Sequence, residues 1–148
     1  MKYKLLFSFA LMLFYAHSIA QSFSLPAGCI QFTPTEMKWI DTLSTLPKGT
    51  SFCLLYGDIK KEGPFAIRLK LPPNQFLKRH FHEKDEVVTV LEGTISVGFS
   101  ERTPPGLKAF NAGSFYVNAA HVEHYVMVGP EGATIQINAM GPWTITYK

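Results

Sequence analysis

His80-Phe-His-Glu-Lys-Asp-Glu-Val-Val-Thr-Val-Leu-Glu-Gly93 is the stretch that decides how this chain is read. On a strand, residues two apart point to the same face, so His80 and His82 project together, and a turn over 83–85 brings Glu86 back beside them on the next strand. Two imidazoles and a carboxylate converging on one spot form a metal-ligand set. Such nitrogen and oxygen donors suit Fe, Mn, Co, Ni, Cu or Zn, and two His with one carboxylate leave coordination positions open for substrate or dioxygen. His124 is the fourth candidate ligand. The plainer account of a His-x-His pair is polar surface on a solvated strand. The full spacing tells against it: His, one residue, His, three, Glu, six, Gly is expected by chance on the order of once in thousands.

Outward from this stretch, residues 1–20 carry Lys2 and Lys4, then an apolar run over 5–16, then Ser18 and Ala20 at the spacing of a signal-peptidase site. The run is too short for the roughly 20 residues that span a bilayer, so the segment reads as a signal peptide cut after Ala20 and not as an anchor. The protein is therefore expected to be secreted or periplasmic. Removing 20 of 148 residues leaves one domain of 128, and removing two lysines leaves 12 basic against 11 acidic residues. That near-neutral balance, with no basic run, gives no footprint for nucleic acid or an anionic membrane. No later apolar stretch is long enough to cross a bilayer.

Cys29 and Cys53 would then sit in an oxidising compartment where a disulfide can persist. The alternative is two thiols acting as small hydrophobes, and spacing alone does not choose. Neither has a neighbouring Cys or His at zinc-ligand spacing.

Thr33-Pro-Thr-Glu36 has a capping Thr, Pro at the first helical position and Glu three after the cap, which predicts a short helical turn to about Leu43. Beyond it the chain reads as short strands over 51–56, 65–71, 76–82, 86–91, 94–99, 114–117, 122–128, 134–139 and 143–147, nearly all separated by Gly, Pro or Asn turns. So many short strands in one domain imply an all-β barrel or double-sheet jelly roll. With His80, His82 and Glu86 facing the lumen, parity puts Val88 and Val90 inward and Phe81, Val87, Thr89 and Leu91 outward. An apolar lumen with one polar cluster is the composition of a small-molecule site. The outward apolar residues need cover, either from the 21–60 segment or from a second subunit.

A second stretch, Gly113-Ser-Phe-Tyr-Val-Asn-Ala-Ala-His-Val-Glu-His124, completes a resemblance to the cupin superfamily. His80, His82, Glu86 and Gly93 fit its first motif, with Asn74 in place of the opening Gly, a residue that also tolerates left-handed backbone. Gly113 and His124 fit the second motif, whereas Ala119, His121 and Val128 replace its Pro, Gly and Asn. The resemblance spans about residues 50–147 and is strongest to small secreted single-domain cupins. It implies a double-stranded β-helix (jelly-roll) barrel, a homodimer, and a divalent metal (Fe, Mn, Ni or Zn) on His80, His82, Glu86 and His124. His121 falls at a turn position and, three residues from His124, would face the other way on a shared strand, so it is not expected to ligate.

Cupins include dioxygenases, oxalate-degrading enzymes, isomerases, sugar-binding modules and storage proteins, so the fold does not choose a reaction. The expected function is metal-binding with a small organic ligand, either as a dioxygenase-like, decarboxylase-like or isomerase-like enzyme with Glu86 as ligand and possible base, or as a non-catalytic binding module. No Ser or Cys stands near a His at a spacing that suggests nucleophilic catalysis.

Overall fold

The computed structural model describes residues 25–41, 45–99 and 106–148, so the signal-peptide reading of residues 1–20 lies outside the described residues. Nine strands make the fold: β1 (Ile40–Asp41), β2 (Ser51–Tyr56), β3 (Gly63–Leu71), β4 (Phe76–Phe81), β5 (Glu86–Gly98), β6 (Leu107–Asn111), β7 (Phe115–Asn118), β8 (His124–Gly141) and β9 (Thr146–Tyr147). All pairings are antiparallel. Among the described residues there is no helix, and none long and apolar enough to cross a membrane.

β5 and β8 are long because each serves both sheets. The later half of β8 lies between β3 and the early half of β5, with Ile137 opposite both Ile67 and Val88. Its early half pairs instead with β4, His80 opposite His124, and with the late half of β5, Val97 opposite Val126. One sheet is thus β1-β2-β3-β8-β5-β7 and the other β9-β4-β8-β5-β6, with two strands bending across both. The bend needs glycine: Gly93 and Gly132 have φ of +69° and +77°, and a Cβ on Gly93 would collide with the carbonyl oxygen of Gly132.

Parity does the rest. Ile67, Val88, Val90, Ile95 and Val97 are fully buried between the sheets, each contributing about 1.5–3 kcal/mol of transfer free energy. Val87, Thr89 and Leu91 alternate with them towards the outside and are half-buried, as the lumen parity requires. The N-terminal segment lies against β3, where Arg68 Nη1 is 3.3 Å from Met37 Sδ and Lys70 Nζ is 4.2 Å over the Trp39 ring. Tyr56, Phe115, Val117 and Met140 remain exposed on the outer face.

Two expectations change. Thr33 and Glu36 do form the capping pair, the Thr33 amide and hydroxyl each donating to Glu36 Oε2 at 2.7 Å. It closes a single turn at 34–36, and a helix to Leu43 does not follow, because Ile40 pairs with Phe52 and Asp41 with Ser51. Tertiary pairing overrides the local signal. The cysteines are unpaired, Cys53 buried and Cys29 exposed, so Cys53 behaves as a small core hydrophobe.

Candidate metal centre

The polar cluster sits at one end of the barrel, where β4 and β7 finish and β5 and β8 begin. Glu86 opens β5 in line with Val88 and Val90, and His124 opens β8 in line with Val126 and Val128. His80 is brought to the same face as Leu77, three residues earlier, by a bulge in β4. His82 follows just past the end of that strand. His80, His82, Glu86 and His124 are all buried, at 3%, 3%, 5% and 1% exposure, which is unusual for such residues without partners.

The partners fix each imidazole the same way. Nδ1 of His80 lies 2.6 Å from the Lys78 carbonyl, Nδ1 of His82 2.8 Å from that of Thr144, and Nδ1 of His124 3.0 Å from that of Val122. A carbonyl only accepts, so each Nδ1 carries the proton and each Nε2 keeps a lone pair. Backbone carbonyls orienting metal-ligating histidines through the second nitrogen is the usual outer support of such centres. The ligand atoms of His80, His82 and His124 lie within 4.8 Å of one another, close enough to hold one metal ion.

Glu86 stands beside this trio. Its Oε1 is 3.5 Å from His82 Nε2, and its Oε2 accepts a 3.0 Å hydrogen bond from Asn118 Nδ2. Buried His82 Nε2 has no hydrogen-bond partner among the described residues. A lone pair and a carboxylate thus face each other in a dry site, an arrangement that repels unless a cation lies between them or a proton is shared. Burial holds the histidines below their ordinary pKa, His80 and His124 at about 4 and His82 lowered likewise, so a proton shared across that gap would rest on Glu86 and not on His82. Burial pushes Glu86 up, while Asn118 and His124 favour its ionised form.

Residues outside the sequence motifs complete the site. Trp143 stacks on His82, centroids 5.8 Å apart and planes 5° from parallel, and Tyr147 packs on His80 at 5.5 Å. The indole Nε1 is buried without a hydrogen bond of good geometry, yet lies near enough to Glu86 to favour the carboxylate. Asn118, 1% exposed, sits opposite Glu86 in the β5–β7 register. Its signal in the sequence is parity, since Tyr116 and Asn118 share the inward side of β7.

His121 lies elsewhere. It takes φ of +63° at the position where cupins have a turn glycine, its side chain is exposed, and its Nδ1 is 3.7 Å from Glu83 Oε2. Asn74, in place of the other motif glycine, likewise adopts φ of +57°.

Residues 29–143 match the family described as the ChrR cupin-like domain. The chain belongs to that family. This cupin shares its fold with KdgF from Halomonas sp. (TM-score 0.56, 18% identity, covering 73% of this chain and 90% of that one). It is also similar to the polyketide cyclase RemF from Streptomyces resistomycificus (TM-score 0.65, 17% identity, 79% and 83% covered). Oxalate decarboxylase from Bacillus subtilis, a protein with Mn(II) centres, matches at TM-score 0.57 and 13% identity, covering 80% of this chain and 31% of that one. At these identities the likeness is one of fold. No curated protein matches the cupin in sequence.

Proposed function

We propose that this cupin holds a divalent metal ion on Nε2 of His80, His82 and His124 together with Glu86, and presents it to a small oxygen-bearing organic ligand. The observation that carries the reading is the buried Nε2 lone pair of His82 facing Glu86 Oε1 at 3.5 Å with no hydrogen-bond donor between them. Such an ion would supply Lewis-acid polarisation of a ligand oxygen or, if iron or manganese, a partner for dioxygen. Glu86, held by Asn118, would serve as ligand and, on detaching, as a base. A dioxygenase-like, decarboxylase-like or isomerase-like reaction fits this donor set. A non-catalytic binding module is the second reading, favoured by how tightly the three histidines and Trp143 fill the end of the barrel.

The protein would work outside the cytoplasm, as residues 1–20 suggest, and as a homodimer joined through the exposed face of Tyr56, Phe115, Val117 and Met140. Phe115→Asp and Val117→Lys are then expected to give monomers in light scattering, and dimers that persist in both would refute this interface.

Elemental analysis of protein from its own compartment should find about one divalent ion per chain. Chelation should lower the melting temperature, and metal at 100 times Kd should restore about 2.7 kcal/mol of stability. Protein that takes up no metal, or melts identically with and without chelator, would refute the reading. Bound iron or manganese would point to redox chemistry, and zinc to isomerisation, hydrolysis or plain binding.

A further inference from the structure

Asn118 contacts two of the four candidate ligands at once. Its Nδ2 lies 3.0 Å from Glu86 Oε2 and 3.0 Å from His124 Nε2, at 1% exposure. Both are acceptors, a carboxylate oxygen and an imidazole lone pair, so the group facing them must be the NH2 with its two hydrogens. Asn118 Oδ1 is left buried and without a hydrogen-bond partner among the described residues. An asparagine that leaves its own acceptor unsatisfied to aim both hydrogens at prospective ligands is held there by the β5–β7 register, in which Asn118 lies directly opposite Glu86.

We infer that Asn118 is a positioning residue of the metal centre with two roles. Towards Glu86 it occupies Oε2, so that only Oε1, the oxygen already turned to His82, is offered to an ion. Towards His124 it acts as a placeholder: its second hydrogen satisfies the Nε2 lone pair in the metal-free protein and must release it before that nitrogen can ligate. The first contact persists in the loaded protein and the second does not. This inference rests on the proposed metal site, and deepens it by saying how many oxygens Glu86 contributes and which residue sets that number.

Co2+ serves as the probe, because its visible absorption reports coordination. Chelator-competition titrations and spectra are compared for the wild type, Asn118→Ala, Glu86→Ala and the double variant. Asn118→Leu, which keeps the branched skeleton of asparagine without its polar atoms, covers the case in which the cavity left by alanine disturbs folding. Losing the hold on Glu86 is expected to shift the Co2+ bands and to weaken affinity by about tenfold, the lower end of what outer-shell partners of metal ligands are worth. Because the same change frees His124 Nε2, Co2+ association should be no slower, the loss falling on dissociation. In the Glu86→Ala background the Asn118 replacement should leave the spectrum unmoved and weaken affinity by less than about twofold, since the one contact left to it, on His124 Nε2, is broken on metal binding in any case. An unchanged spectrum and affinity in Asn118→Ala and Asn118→Leu would overturn the inference while leaving the metal site standing. So would an equal loss with and without Glu86, the mark of a general structural effect. A wild type that binds no Co2+ would overturn both.

Discussion

His124→Ala is expected to weaken metal binding as severely as His80→Ala, by more than the 10–100-fold typical of outer-shell partners, whereas His121→Ala should leave affinity within about twofold. The two histidines are three residues apart and belong to different environments. His124 is 1% exposed, sits opposite His80 across the β4–β8 ladder, and has its Nδ1 tied to the Val122 carbonyl. His121 occupies a left-handed turn position with its ring exposed beside Glu83. The rings of His80 and His124 are 4.3 Å apart between centroids, so the loss of either opens the same side of the cluster. Isothermal titration of the three alanine variants decides the matter, and a larger loss in His121→Ala than in His124→Ala would refute the assignment.

The metal-free protein should be destabilised by acid well before its surface carboxylates titrate. His80 and His124 have folded-state pKa values of about 4 against 6.5 in the unfolded chain, because burial disfavours their charged forms. Between those two values the unfolded chain binds protons that the folded chain does not, so stability rises with pH across the window and is lost as pH falls through it. Each shift corresponds to about 3 kcal/mol at full effect, and His82 acts in the same direction. Glu86 opposes them. Its pKa is raised by burial, so its contribution is present below about 4.5 and declines as pH rises. Three histidines against one carboxylate leave a net gain. Urea midpoints of chelator-treated protein should therefore increase from pH 4.5 to 6.5 and then flatten, and a level or falling profile over that interval would contradict the buried neutral histidines.

Much of the fold was legible because the strands alternate cleanly. Val88 and Val90 fall inward and Val87 and Thr89 outward, as a period of two dictates, and the reading of 51–56 coincides with β2. What escaped was continuity. β5 and β8 each read as two strands, because Gly93 and the Gly129-Pro130 pair carry turn chemistry; in the folded chain both strands run on through these positions, bending at Gly93 and Gly132. β6 was missed since Leu107–Asn111 is an exposed edge strand with little alternation to betray it. The helix over 33–43 was over-read, because a capping pair records a local preference and cannot anticipate the pairing of Ile40 with Phe52.

The centre divides along the same line. His80, His82 and Glu86 announce themselves by spacing, because residues 83–85 alone separate His82 from the start of β5. Asn118 and Trp143 do not: the first arrives through strand register and the second from the segment after β8, and neither relation is written in local sequence.

That division has a temporal consequence. β4 and β5 do not pair with each other; each is joined to β8, so His80, Glu86 and His124 are set against one another only when β8 docks, and β8 must also pair Gly63 with Gly141 and Leu71 with Ala133. Sandwiches dominated by such distant pairings fold on the slow, millisecond-to-second scale. The cluster of His80, His82, Glu86 and His124 is therefore a late product of folding, complete only when strands distant in sequence have closed on one another.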